Sequence, residues 1–150
     1  MLSALDEAEE EDDLVSITLN AILALLYLLS YSCMVLNTYI VTSSNPTDPT
    51  VALHRLIDLH QQEDEAATLA ARRTIDKNAI YFCDICQTNV MKNSKHCASC
   101  NRCCYEFDHH CIWVGNDVGA HNYKSFLWML ICTCSTLFLN FCLALEIVIV

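Results

Sequence analysis

His96 and Cys97 are neighbours in the chain, and that adjacency constrains the fold more than any other feature. Upstream stands Cys83-Asp-Ile-Cys86. Cys97 opens a second turn of the same kind, Cys97-Ala-Ser-Cys100, and Cys103, Cys104, His109, His110 and Cys111 follow. A Cys-x-x-Cys turn presents two thiolates at the separation a tetrahedral zinc ion needs. Adjacent residues rarely point at one such ion, so His96 and Cys97 are expected to serve different ions, giving two sites with interleaved ligands. Seven of the eleven cysteines lie between positions 83 and 111. Their spacing is that of metal knuckles rather than of a secreted disulfide framework, which fits a reducing compartment. Reading them as ordinary buried small hydrophobes leaves the regular spacing unexplained. Residues 80–125 hold few apolar runs and only two glycines. So short a segment builds little hydrophobic core, and metal is expected to replace it.

The flanks are of another character. Residues 14–41 contain no charged side chain, and residues 126–145 contain none before Glu146. A helix of about 20 apolar residues crosses a hydrocarbon core of about 30 Å, so 14–41 and 126–150 are expected to be transmembrane helices. The first is no signal peptide, because no basic region precedes it and the apolar run is too long. Hydrophobic residues make up 54% of the chain, more than a soluble protein of this size needs. All eight basic residues (Arg55, Arg72, Arg73, Lys77, Lys92, Lys95, Arg102 and Lys124) lie between the two apolar segments. The positive-inside rule then places the central loop in the cytosol and both ends on the far side. The net charge of −10 argues against a nucleic-acid partner. Most of the excess sits in residues 1–13, where Asp6, Glu7, Glu9, Glu10, Glu11, Asp12 and Asp13 read as a solvated, disordered acidic tail. Residues 42–79 read as a cytosolic linker. Pro46 and Pro49 disfavour helix at its start, and a helix is expected from about Val51 to Arg73. His54 and His60 on it read as surface or packing residues rather than ligands. No internal repeat stands out. The expected fold is an α-helical membrane protein, two transmembrane helices flanking a small, irregular, zinc-stabilised cytosolic cysteine-rich domain.

Between the knuckles and the second span runs Asp108-His109-His110-Cys111. It is followed by Trp113-Val-Gly115-Asn116-Asp117-Val-Gly119 and Asn122-Tyr-Lys-Ser-Phe126. A thiol reacts as the thiolate and needs a base beside it. Cys111 is the candidate nucleophile, His109 can take its proton, and Asp108 can fix the His109 tautomer. His110 is left for zinc. The alternative makes Cys111 one more zinc ligand.

The stretch from Cys83 to Phe126 resembles the cysteine-rich domain of the DHHC protein S-acyltransferases, the palmitoyltransferases, with the tetrad at residues 108–111. The resemblance implies two Zn2+ ions. One is held by Cys83, Cys86, His96 and Cys103, the other by Cys97, Cys100, His110 and the position of Asp117, which is Cys in the family. Cys104 is the rival for that last place and His121 a weaker one. It also implies that Asp108 and His109 activate Cys111, which takes a long-chain acyl group such as palmitate from acyl-CoA and passes it to a substrate cysteine. Trp113 matches a family residue near the thioester, with an interfacial anchor as the alternative. Lys92, Lys95, Arg102 and Lys124 are candidates for the CoA phosphates. Implied partners are membrane lipid and proteins with cytosolic cysteines. The implied location is the eukaryotic endomembrane system, ER, Golgi or plasma membrane.

The likeness covers the cysteine-rich domain and its two flanking helices. Family members usually have four spans and this chain has two, so it reads as a fragment, a partial gene product or half of a dimeric assembly, with an oligomer or accessory subunit among the implied partners. The family's Thr-Thr-x-Glu motif and C-terminal Asn-containing segment are absent, and Ile112 stands where the family has Pro. A non-catalytic, membrane-tethered zinc module is the second reading. The intact Asp108, His109 and Cys111 favour the enzyme over it.

Overall fold

The structure is a computed structural model that describes residues 2–59 and 79–149. It divides into two units, residues 1–37 with 127–150, and residues 38–126.

The first unit is built from two long helices. Helix α1 runs Leu2–Ser43, and the last helix, α3, runs Tyr123–Ile149. The segments Leu14–Ser43 and Tyr123–Glu146, with mean hydropathies of 2.0 and 1.9, are long and apolar enough to cross a membrane. Large apolar side chains such as Leu14, Ile22, Leu29, Phe138 and Phe141 are exposed along them. Their hydroxyls turn back onto the helix carbonyls: Ser32 donates to Leu28 O, Thr133 to Met129 O and Ser135 to Ile131 O. Such bonds satisfy polar groups where water is absent. Between the helices runs a polar seam. Ser30 Oγ lies 2.9 Å from Thr136 Oγ1 and donates to Cys132 O at 3.1 Å, and Cys132 Sγ lies 2.9 Å from Cys33 Sγ.

The acidic segment is not the disordered tail that its charge suggests. Helix α1 begins at Leu2 and takes in the whole acidic run. The run contains no Gly or Pro and is rich in Glu and Ala, strong helix formers, and it extends a helix already nucleated by the apolar stretch.

In the second unit, helix α2 spans Pro49–Leu59. Pro49 is its first residue, which overturns the reading of that proline as helix-disfavouring: at the first helical position the missing N–H costs nothing. The expected continuation to Arg73, with His60, lies outside the described residues. Asp48 caps the helix. Its Oδ1 accepts Thr50 N–H at 2.8 Å and Val51 N–H at 3.4 Å. Its Oδ2 accepts Met91 N–H at 3.0 Å and the Ser94 hydroxyl. Its own N–H donates to Cys103 O at 2.8 Å. This fully buried carboxylate therefore ties α2 to the two hairpins beside it.

The cysteine-rich segment is regular rather than irregular. It forms three antiparallel hairpins: β1 (Ala79–Cys83) with β2 (Thr88–Met91), β3 (Lys95–Cys97) with β4 (Arg102–Cys104), and β5 (His109–Cys111) with β6 (Asn116–Val118). Most strands have three residues, and the buried positions of β3, β4 and β5 are cysteines. Hydropathy alternation therefore does not reveal them. The hairpins are also a repeat. Cys83 pairs with Thr88, Cys97 with Arg102 and Cys111 with Asn116, each pair fourteen residues after the last. A small core of Val51, Val90 and Cys103 lies under the first hairpin, with Cys83 and Cys86 packed on it.

The third hairpin is anchored by two buried asparagines. Asn116 donates to Val41 O at 2.8 Å and Ser44 O at 2.9 Å, covering carbonyls that the end of α1 leaves open. Asn122 donates to Ser44 Oγ at 2.8 Å and Asp117 O at 2.9 Å, and accepts Gly119 N–H at 3.0 Å. Gly119 is required by close approach: a Cβ there would sit 2.5 Å from Cys104 Sγ and 2.7 Å from Tyr105 O.

Candidate active site and metal centres

The ladder register groups the donors. His96 stands across from Cys103 in β3–β4, and His110 across from Asp117 in β5–β6. Directly opposed residues share a face of the pair. Each histidine and its partner thus meet the knuckle of the preceding hairpin. In each of the sets Cys83, Cys86, His96, Cys103 and Cys97, Cys100, His110, Asp117, the ligand atoms lie within 4.8 Å of one another and can hold a metal ion. Strand alternation sends His96 and Cys97 to opposite faces, so the neighbours belong to different clusters.

The separations fit zinc. With Zn–S of about 2.3 Å and Zn–N of about 2.0 Å, a tetrahedron has S···N edges of about 3.5 Å and S···S edges of about 3.8 Å. His96 Nδ1 lies 3.8, 3.4 and 3.8 Å from Cys83, Cys86 and Cys103 Sγ, and the last two sulfurs are 3.6 Å apart. His110 Nδ1 lies 3.8 and 3.4 Å from Cys97 and Cys100 Sγ. Its distance to Asp117 Oδ1 is 2.9 Å, a hydrogen bond, which a tetrahedral ion would open to about 3.3 Å.

Asp117 is fully buried, and Arg102 holds its other oxygen, Nε to Oδ2 at 3.2 Å. Burial raises the Asp117 carboxyl, but hydrogen bonds from Cys97, His110, Cys100 and Arg102 outweigh it and hold it below the usual carboxylate range. Arg102 also donates to Asn45 and Asn116. Its guanidinium is thus committed to this centre, a role the charge reading did not anticipate. Cys104 is outside both donor sets. Its buried thiol faces Tyr105 O at 3.8 Å and is pushed up to about 11 by burial and then by the Asp117 charge. His121 is exposed and belongs to neither set.

The same alternation separates the tetrad. His109 and Cys111 fall on one face of β5, and His110 falls on the other. Asp108 Oδ2 lies 3.0 Å from His109 Nδ1, a hydrogen bond that orients the ring. The His109 ring meets Phe126 edge-on, with centroids 5.2 Å apart. Cys111 is buried and outside both metal sets. Trp113, at the turn of the third hairpin, is 90% exposed. A cleft of about 410 Å³ opens beside Asp108, lined by Glu106, Gly119, Tyr123 and Lys124 among others.

A family model described as DHHC palmitoyltransferase matches residues 76–150, half of the 150-residue chain. The chain belongs to the DHHC palmitoyltransferase family. Among curated proteins it is similar to "Palmitoyltransferase swf1" of Schizosaccharomyces pombe, 38% identical over 103 residues that cover 67% of this chain and 25% of that protein. It is also similar to "Probable protein S-acyltransferase 13" of Arabidopsis thaliana, 38% identical over 79 residues, 51% of this chain and 26% of the relative. "Palmitoyltransferase ZDHHC17" of Homo sapiens is 43% identical over 67 residues, 45% of this chain and 10% of the relative. The chain therefore spans between a tenth and about a quarter of the length of these DHHC relatives.

Around this DHHC domain, sequence reasoning missed Asp48, which precedes the matched region, and the structural work of Arg102, Asn116 and Asn122 within it. The signal for Asp48 was present: Asp immediately before Pro is a helix-start signature. No comparable local signal marks Arg102, whose partner Asp117 is brought to it only by the packing of two hairpins.

Proposed function

We propose that this chain carries the reaction centre of a protein S-acyltransferase. In the first step the Cys111 thiolate, its proton taken by His109, attacks the carbonyl carbon of a long-chain acyl-CoA. The bond from that carbon to the CoA sulfur breaks, and CoA leaves as the thiol with the proton returned by His109. In the second step His109 takes the proton of a substrate cysteine thiol, the resulting thiolate attacks the thioester carbonyl carbon, the bond from that carbon to Cys111 Sγ breaks, and Cys111 leaves as the thiol with that proton. Asp108 orients His109 and stabilises its charged form. The observation that carries this reading is the division of β5, with the nucleophile and its base on one face and a metal donor on the other.

Cys83, Cys86, His96 and Cys103 would hold one zinc ion, and Cys97, Cys100, His110 and Asp117 a second. When bound, the ions supply the rigidity that a small core does not. Trp113 would lie beside the thioester, and Lys92, Lys95 and Lys124 are candidates for the CoA phosphates. The two apolar helices and the confinement of all basic residues between them support a membrane protein with its reaction centre in the cytosol. A compartment of the eukaryotic endomembrane system and an oligomer or accessory subunit belong to the same reading. The test is transfer in detergent from palmitoyl-CoA to a cysteine peptide. The parent protein should produce a peptide thioester and Cys111→Ser should not. Equal peptide acylation by both proteins would overturn the reading.

A further inference from the structure

The three hairpins are copies of one unit, and the copies differ at a decisive position. In each, a strand ends on a cysteine, Cys83, Cys97 or Cys111, and a four-residue turn follows. The last turn residue has a left-handed backbone in all three: Gln87 at φ 52°, Asn101 at 48° and Gly115 at 61°. The return strand opens opposite the cysteine, at Thr88, Arg102 and Asn116. The metal donors keep the same spacing. Cys83 corresponds to Cys97, Cys86 to Cys100, His96 to His110 and Cys103 to Asp117. The third copy has Cys111 at the place of the first knuckle thiolate, and Val114 at the place of the second. The next position of the series, which holds a histidine in the other copies, is Lys124. It lies in helix α3 and carries an ammonium that repels cations.

We propose that Val114 is a positioning residue that keeps the nucleophile free of metal: hairpin β5–β6 is a metal knuckle with one sulfur withheld. The turn delivers Cys111 as the other two turns deliver their first thiolates. A single sulfur does not capture a soft ion that two sulfurs would chelate. Valine suits the role because its side chain is close in size to that of cysteine, which itself behaves as a small hydrophobe when buried, and it has no donor atom. Val114 is buried, so the packing is met while coordination is denied. A thiolate bound to zinc shares the lone pair that acyl transfer requires. Two metal centres lie in the same small domain, and a third sulfur pair would compete for the metal that loads them. This inference rests on Cys111 being the acyl carrier.

The test is Val114→Cys in the full chain, reduced, in detergent and loaded with cadmium, whose thiolate charge-transfer absorbance counts bound sulfurs. The variant should bind about one further cadmium equivalent than the parent. Mild chelation should remove that ion first. Autoacylation should be lost with the ion bound and recovered on its removal. The double variant Val114→Cys with Cys111→Ser should return to the parental count. Cadmium binding equal to that of the parent would overturn the proposal. Val114→Ser, similar in size but without sulfur, deals with misfolding. Loss of the two original ions in Val114→Cys but not in Val114→Ser would place the new sulfur within reach of metal and support the proposal. Loss in both would show that the turn does not tolerate a knuckle residue, and would overturn it. The cadmium count is independent of acyl transfer. An extra ion in a protein whose parent never autoacylates would leave the knuckle standing and sink the acyl-carrier reading.

Discussion

Asp117 faces His110 across the β5–β6 ladder, with its Oδ1 2.9 Å from the ring Nδ1. The pairing gives a carboxylate the place that a thiolate holds in the other cluster, where Cys103 faces His96. Oxygen is a harder donor than sulfur, so the second centre should hold zinc more loosely than the first. Mild chelation should remove one equivalent early. Asp117→Ala should release that ion, and Asp117→Cys should make it resistant. Cys104→Ala should leave both ions in place. Metal analysis after dialysis checks all three. Retention of both ions by Asp117→Ala, with loss of one by Cys104→Ala, would reverse the assignment.

Acid should empty the second centre by way of its thiols. Burial, then the hydrogen bond to Asp117 and its charge, push the Cys100 thiol up to about 11 in the metal-free protein. Metal binding must expel that proton, so affinity falls as pH falls, by about tenfold per unit for each such thiol. The Asp117 carboxyl is depressed. Its contribution is present above the unfolded value and lost only as pH falls through the lower folded one. It therefore stays ionised while the thiols reprotonate. Burial pushes the Cys103 thiol of the first centre well above its usual range too, so a chelating dye read between about pH 8 and pH 5 should report release from both centres that steepens as pH falls. Release that does not depend on pH would contradict the role of Cys100.

Asp48→Ala should destabilise the cysteine-rich unit by at least about 2 kcal/mol, since a helix cap is worth about 1 kcal/mol and each buried donor left unpaired costs about 1–3 kcal/mol. The donors concerned are the N–H groups of Thr50, Val51 and Met91 and the Ser94 hydroxyl. Asp48→Asn should recover part of the loss, because one amide oxygen still accepts. Thermal unfolding of the metal-loaded protein measures both. An unchanged midpoint for Asp48→Ala would show that the carboxylate is not a structural tie.

The legible parts of this molecule were those written in residue type. Residues 14–41 lack charge, which exposes a long apolar helix directly. The ligand sets drawn from knuckle spacing and resemblance are the same sets whose donor atoms cluster. What stayed hidden depends on packing. Asn116 and Asn122 look like loop residues until they meet the carbonyls and hydroxyl of Val41 and Ser44. Pro49 looked like a breaker because its position relative to the cap at Asp48 was not weighed. The fourteen-residue repeat escaped notice because equivalent positions such as Thr88, Arg102 and Asn116 share backbone geometry but not chemistry.

The helix pair has its own check. Cys33 and Cys132 bring their sulfurs to 2.9 Å. Copper–phenanthroline oxidation in detergent should join them, so that fragments cut between the two apolar segments stay together without reductant. Cys33→Ser should abolish the link. Fragments that separate after oxidation of the parent protein would contradict the pairing of α1 with α3.

On the proposed mechanism Cys111 carries an acyl group while standing outside both metal centres. Intact mass after incubation of the metal-loaded protein with palmitoyl-CoA is the decisive measurement. One palmitoyl group should be added and should be removed by neutral hydroxylamine. Cys111→Ser should show no adduct and an unchanged metal content. An adduct that persists in Cys111→Ser, or loss of one metal equivalent from that variant, would contradict the mechanism.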